Sequence, residues 1–312
     1  MADVVQTIDQ LVANARKAAD IMRDFTQEQI DKVCAAMDAA SVANEQKLGE
    51  MAVEETGIGR ADHKAIKNHL GAHVVYEYFK DRKSVGIIKE EDGVAYVAEP
   101  FGVLAAATPT TNPTSTVMFK ALIALKSRNV VIFACHPRAQ KCSVEAARIM
   151  RDAAVAAGAP GNCIQWIEEP SIEATGLLMK HPGVNLVLAT GGNAMVKAAY
   201  SSGHPAIGVG AGNTPVFVSK SAKLSVAVNN VIASKTFDNG TICSSDQSMI
   251  FDDKETCDKA VKMMVERGAY LVNDEEKKKL EAVMFDKERG VPAVAIVGKS
   301  PQFIAKLAGF EV

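Results

Sequence analysis

From Phe101 onward, short apolar segments rich in β-branched residues alternate with longer helical ones, and this rhythm restricts the possible folds more than any other feature of the chain. Strand-like segments fall at 102–107, 130–134, 163–167, 184–189 and 215–218, with helical patterns at 114–126, 139–157, 171–180 and 194–200 between them. Apolar strands alternating with helices imply an α/β fold on a doubly wound, mostly parallel sheet, covered on both faces. Ligands of such sheets bind beyond the C-terminal ends of the strands, so the loops that follow the strands carry the functional interest.

Ahead of this region the chain is helical. Val5, Ile8, Val12, Ala15, Ala19 and Met22 recur at three- and four-residue intervals and predict an amphipathic opening helix. Thr26 with Gln29 forms a capping-box pattern for a second helix, whose buried face is Ile30, Val33, Cys34 and Met37. A third helical region runs over 48–56 and ends near Gly57 and Gly59. His63, His69 and His73 follow, but no Cys or acidic partner stands at metal-site spacing, so no metal site is expected. Segments 85–89 and 94–98, joined through Asp92-Gly93, predict a β-hairpin with either an assembly role or simple edge cover.

Composition narrows the function classes. A net charge of −2, from 35 basic and 37 acidic residues spread along the chain, gives no surface for nucleic acid. No apolar run approaches membrane-spanning length, and the N-terminus lacks the order of a signal peptide. The six cysteines, Cys34, Cys135, Cys142, Cys163, Cys243 and Cys257, are irregularly spaced without a C-x-x-C pair. Reduced thiols in a cytoplasmic protein are therefore expected.

Three post-strand loops have chemical character. The first, Thr108-Pro109-Thr110-Thr111-Asn112-Pro113, opens a helix with its path fixed by prolines, and Asn112 offers an amide donor; alone it is also an ordinary turn and cap. In Ala189-Thr190-Gly191-Gly192-Asn193, the glycines let a diphosphate approach backbone N–H groups at a positive helix end. The third, 208–215, carries the alternate glycines Gly208, Gly210 and Gly212, suited to a backbone packed close to a flat ligand or to a bend. Beyond them, Thr236 to Gln247 places Cys243 after a glycine-containing loop, between an apolar helical segment and the strand-like 248–251. A thiol so placed is either a covalent nucleophile or a small packed residue in a turn.

The order and spacing of these loops and of Cys243 resemble the aldehyde dehydrogenase superfamily. More narrowly, Thr-Pro-Thr-Thr-Asn-Pro-Thr-Ser-Thr, His136-Pro137-Arg138-Ala139, Ala-Thr-Gly-Gly, the run 197–215 and the run 234–243 resemble the CoA-acylating half of the bifunctional aldehyde-alcohol dehydrogenases. The likeness spans nearly the whole chain. It implies a Rossmann-type NAD-binding domain at 1–215, carrying the 85–98 hairpin as an oligomerisation element. An incomplete α/β catalytic domain at 216–312 would follow.

The resemblance further implies that Cys243 attacks a short-chain aldehyde, while the Asn112 side chain and the Cys243 N–H hold the oxyanion. Hydride passes to NAD, and coenzyme A removes the acyl group as acyl-CoA; in reverse, acetyl-CoA is reduced to acetaldehyde, the first step of ethanol formation. Thr108, Pro109, Thr110, Thr111, Asn112, Gly191, Gly192, Gly210 and Gly212 are the implied cofactor-binding set. His136 and Arg138 would lie near the adenosine ribose, although Arg138 suits a surface ion pair equally well.

One departure bears on the outcome. Hydrolytic members carry a water-activating glutamate in Glu-Leu-Gly-Gly-Lys, whereas this chain has Val209-Gly210-Ala211-Gly212-Asn213, with no carboxylate. Such bases contribute about 10²–10⁴-fold, so acyl transfer to a thiol is expected over hydrolysis. Relatives also continue past the position of Val312, so the chain reads as a fragment of a longer parent. Homo-oligomers, filaments in that parent, and iron only in a second domain absent from this chain are implied in the same way. The alternatives are a stand-alone acylating enzyme of a microcompartment and a filament-forming assembly module inactive by itself.

Overall fold

The structure is a computed structural model that describes residues 2–286, 288 and 290–312. It divides into two compact units, one of residues 1–56 and 61–211, the other of 57–60 and 212–312. No helix among the described residues is long and apolar enough to cross a membrane.

The first unit opens with α1 (Ala2–Arg23), which buries Ile8, Val12, Ala15, Ala19 and Met22 but leaves Val5 exposed. The capping box of α2 (Gln27–Thr56) forms as the pattern predicts. Gln29 N–H donates to Thr26 Oγ1 at 3.3 Å, and Thr26 N–H donates to Gln29 Oε1 at 2.8 Å. The expected second and third helices are instead one, because nothing between them terminates a helix. Gly49 within it serves packing against α3 (Ala61–His69): a Cβ there would stand 2.7 Å from Ala61 O. A π-turn over Leu70–Val74 and α4 (Val75–Phe79) complete this helical part.

β1 (Gly86–Glu91) and β2 (Val94–Ala98) form the hairpin, with both turn residues, Asp92 (φ 52°) and Gly93 (φ 77°), in the left-handed region. This is the backbone that two-residue hairpin turns favour. Exposed apolar side chains on the ribbon include Ile87, Ile88, Val94, Tyr96 and Val97.

The remaining elements are β3 (Val103–Ala107), α5 (Pro113–Lys126), β4 (Val130–Ala134), α6 (Gln140–Ala156), β5 (Ile164–Trp166), α7 (Ile172–Lys180), β6 (Leu186–Thr190), α8 (Asn193–Tyr200) and β7 (Ala206–Val209). Their five strands form one parallel sheet in the order β5-β4-β3-β6-β7. α2 packs with α5 and α6, and α1 with α7, as right-handed crossovers running outward on one face and back on the other require. The chain reverses direction between β3 and β6, which is the switch point where such sheets bind ligands. β7 takes Gly208 and Val209 out of the expected loop. It is a short edge strand with a glycine, too weak a pattern to show in the sequence.

In the second unit β8 (Thr214–Val218) pairs in parallel with β9 (Asp246–Phe251), joined through α9 (Leu224–Thr236). α10 (Lys254–Glu266), α11 (Asp274–Met284) and α12 (Pro301–Ala308) follow. The charged run after residue 272 is thus a helix, with a complete capping box between Asn273 and Glu276. The apolar run 293–297 does not form a strand. No strand among the described residues pairs with it, and the chain closes a single 3₁₀ turn at Val294–Ile296 instead. An apolar run needs a ladder partner as well as its pattern to become a strand.

Candidate active site

The loop after β3 follows the path its residues dictate. Pro113 occupies the first turn of α5, where its missing N–H costs nothing, and Asn112 stands at the N-cap position. Asn112 does not cap the helix. Its Oδ1 accepts from Lys67 Nζ at 2.7 Å, and its Nδ2 lies 3.2 Å from Thr111 Oγ1. Lys64 Nζ donates to Thr111 O at 2.7 Å, and Thr114 Oγ1 donates to Asn68 Oδ1 at 2.7 Å. Beneath the loop, Lys120 is buried, donating from Nζ to Ala107 O at 2.7 Å, at the end of β3, and to Leu188 O at 2.8 Å, in the middle of β6, the two strands that flank the switch point. Burial pushes its pKa down to about 7.

Across the switch point, Thr190 ends β6, and Gly192 caps α8 with no side chain on its first N–H groups. A Cβ on Gly192 would meet nothing within 4 Å. By contrast, the N-terminus of α6 is already filled: Glu55 accepts from Lys141 N–H at 2.8 Å and Cys142 N–H at 2.7 Å. The helix ends beside the switch point are therefore the ones left for an external anion. Among the described residues, Thr108 Oγ1 is buried there with no hydrogen-bond partner. These features fit a dinucleotide diphosphate.

His136 lies two residues beyond β4 and accepts the Arg138 N–H on Nδ1 at 3.2 Å, and burial and the Arg138 charge together hold its pKa below the ordinary imidazole value. Arg138 is exposed and forms no ion pair among the described residues. The alternate glycines have different neighbours. A Cβ on Gly208 would stand 2.8 Å from Val196 Cγ1 and 2.9 Å from Tyr200 Cε2, so its task is to let α8 pack on β7. Gly210 lies 3.3 Å, by the same construction, from Asn193 Oδ1. Gly212 belongs to the second unit, where its Cβ would stand 2.6 Å from Cys243 O.

In that unit the segment leading to Cys243 is a strained and pinned loop. Asp238 (φ 49°), Asn239 (φ 51°) and Gly240 (φ 73°) are successive left-handed residues, a conformation that costs non-glycine residues of order 1–3 kcal/mol each and persists only where surroundings enforce it. The buried Asp238 carboxylate accepts Arg60 N–H at 2.8 Å and Thr241 Oγ1–H at 2.6 Å. Asn239 Nδ2 donates to Gly298 O at 2.9 Å, and Gly59 N–H to the same oxygen at 3.0 Å. Beyond the loop, Ser234 Oγ accepts Asp246 N–H at 3.1 Å, and Lys235 Nζ donates to Gln247 Oε1 at 3.0 Å. Cys243 itself is exposed, whereas Cys34, Cys135, Cys142 and Cys163 are buried.

Sequence reading missed Lys64, Lys67 and Lys120, since a lysine on a helix reads as solvated. Lys120 alone carried a signal, as a cation inside the apolar run of α5. Among the described residues no group of three His, Cys, Asp or Glu side chains is placed to hold a metal; His69 and His73 instead face Glu45 and Asp38 at 2.9 and 3.1 Å.

A parallel sheet with open helix ends at its switch point, together with a separate unit presenting a thiol on a pinned loop, defines a nucleotide-binding α/β protein with a candidate cysteine nucleophile. The chain belongs to the aldehyde dehydrogenase family, whose model matches residues 2–284. It is 48% identical to aldehyde-alcohol dehydrogenase 2 of Entamoeba histolytica, over 99% of this chain and 37% of that protein. An acetylating aldehyde dehydrogenase of Geobacillus thermoglucosidasius superposes with a TM-score of 0.95 at 46% identity, covering 100% of this chain and 69% of that one. The propionaldehyde dehydrogenase of Rhodopseudomonas palustris, solved with bound propionyl-CoA, gives 0.86 at 32% identity, covering 98% and 68%. The chain thus spans about a third of the length of the curated aldehyde-alcohol dehydrogenases it matches.

Proposed function

We propose that this chain carries the chemistry of an NAD-dependent, CoA-acylating aldehyde dehydrogenase acting on short-chain aldehydes. One observation carries the choice of acceptor. The segment that packs on Cys243 through Gly212 is Val209-Gly210-Ala211-Gly212-Asn213, and it holds no carboxylate to activate water.

In the oxidative direction the Cys243 thiolate forms a bond to the aldehyde carbon, and the carbonyl π pair moves to oxygen. The Asn112 amide and the Cys243 N–H receive that oxyanion. NAD, when bound, supplies the acceptor for the hydride that leaves the carbon. The oxygen's electron pair re-forms the carbonyl as the hydride departs, leaving a thioester on Cys243. A coenzyme A thiolate then adds to the thioester, and the Cys243 thiolate leaves. Thioester replaces thioester, so the sequence runs in either direction.

Thr108 to Asn112, Gly191 and Gly192 form the dinucleotide end of this site, with Gly210 beside α8 and His136 and Arg138 toward the ribose. Gly212 serves the Cys243 loop rather than the dinucleotide. The exposed apolar ribbon of β1 and β2 is the contact for a homo-oligomer, and the protein acts in the cytoplasm.

The test uses the full-length protein that carries this chain. NADH oxidation with acetyl-CoA is expected to fall at least about 10³-fold in Cys243→Ala. Retained activity would refute the covalent route, and rapid carboxylate production without coenzyme A would refute the choice of acceptor.

A further inference from the structure

The helical turn that joins α3 to α4 carries two histidines, four residues apart and hence on one face: His69 ends α3, and His73 lies in the π-turn. Such widened turns are rare and recur at functional sites. This one is held in place, since a Cβ on Gly71 would stand 2.8 Å from Ser115 O of α5. The two ring centroids are 4.9 Å apart, with planes tilted by 45°. The side chains are 42% and 35% exposed, so a solute can reach both.

Each ring is oriented by a carboxylate of α2. His69 Nδ1 lies 2.9 Å from Glu45 Oε2, and His73 Nδ1 lies 3.1 Å from Asp38 Oδ2. An ionised carboxylate only accepts, so each Nδ1 carries the proton, and the Nε2 of each neutral ring keeps its lone pair. Among the described residues, every hydrogen bond of the two rings is made at Nδ1. Carboxylate on one nitrogen and lone pair on the other is the arrangement that fixes the tautomer of a metal-binding histidine and raises its basicity. The spacing agrees: two rings bound through nitrogen to one cation, at about 2.0–2.1 Å and near-tetrahedral angles, have centroids about 5 Å apart. Neither carboxylate was visible from local spacing, because they lie 24 and 35 residues from their histidines.

We propose that His69 and His73 form a two-nitrogen chelate for a divalent cation of the zinc class, with Glu45 and Asp38 behind the ligands and water completing the coordination. Imidazole nitrogens suit zinc, copper and nickel, and two of them on one helix face bind as a pair. Bound there, the cation ties the end of α3 to the turn that follows it.

The test is local and independent of catalysis. In the full-length protein that carries this chain, dialysed against a chelator and then buffer, diethyl pyrocarbonate labelling of each histidine is followed by peptide mapping with and without Zn²⁺. Labelling of His69 and His73 is expected to slow together, by about tenfold once zinc stands at ten times its dissociation constant, while the other histidines of the chain keep their rates. In His69→Gln, zinc should no longer protect His73, and in His73→Gln it should no longer protect His69, since a lone imidazole loses the second bond. Glu45→Gln should raise the zinc concentration that half-protects the pair about 10–10²-fold. Mg²⁺, which takes oxygen ligands, should protect neither ring. Unslowed labelling of both rings in Zn²⁺ overturns the proposal and needs no variant. So does protection of His73 that survives in His69→Gln, or equal protection by Mg²⁺.

Discussion

Among the thiols, burial separates one group from the other. Cys34, Cys135 and Cys163 are pushed up to about 12 by desolvation, and Cys142 is raised by burial and by the neighbouring Glu55 carboxylate. At pH 8 a thiol with a pKa near 12 is ionised to only about one part in 10⁴, and the thiolate is the reacting species. Cys243 is exposed and Cys257 partly so. Iodoacetamide at pH 8 should therefore label Cys243 first and Cys257 next, leaving the buried four unmodified until the protein unfolds. Peptide mapping over time checks this, and early label at Cys135 or Cys142 would contradict the burial described. The irregular spacing of the cysteines showed that they were not a disulfide framework. Which of them faces solvent was a matter of tertiary packing, beyond the reach of spacing.

At the level of elements, the Cys243 loop depends on a glycine far away in sequence. Gly59 sits at φ +77°, and a Cβ there would stand 2.1 Å from Asp238 Oδ1, the atom that accepts Arg60 N–H. Gly59→Ala must both enter the left-handed region and displace a buried carboxylate. It is expected to destabilise the second unit by about 1–3 kcal/mol and to lower kcat in the full-length protein. Thr26→Ala, which removes only the cap of α2, should cost about 1 kcal/mol and leave kcat unchanged. Calorimetry with steady-state rates distinguishes them, and an unaltered kcat in Gly59→Ala would remove the case for a pinned loop. The caps of α2 and α7 could be read from local sequence, because a hydroxyl and its N–H partner lie three residues apart. Gly59 read as a helix stop and no more, since its partner lies 179 residues away, from 59 to 238.

Across the molecule, what the sequence made readable is what repeats locally: the alternation of strands and helices, the hairpin turn, and the loops that end β3 and β6. What it hid is polar chemistry carried on helix faces, because Lys64, Lys67 and Lys120 share the local spacing of solvated lysines and differ only in what the fold sets against them. Lys120 gives this difference a measurable global signature. Its folded pKa of about 7 lies below the ordinary 10.5, so between those values the unfolded chain binds more protons than the folded one. Stability must then rise with pH through this window. The buried thiols act in the opposite sense. Their folded values lie above the ordinary 9.0, so their contribution is complete below pH 9 and declines above it. Together they predict a thermal midpoint for the first unit that climbs from about pH 7, peaks near pH 9 and falls beyond. Lys120→Met should flatten the rising limb and steepen the falling one, because the lysine's window reaches pH 10.5 and offsets part of the thiols' loss. It should also cost stability at pH 9, since Ala107 O and Leu188 O each lose a buried donor. Scanning calorimetry of both proteins from pH 6 to 10.5 under reducing conditions tests this. An unchanged rising limb in Lys120→Met would mean that the ammonium at the switch point is not the group that titrates.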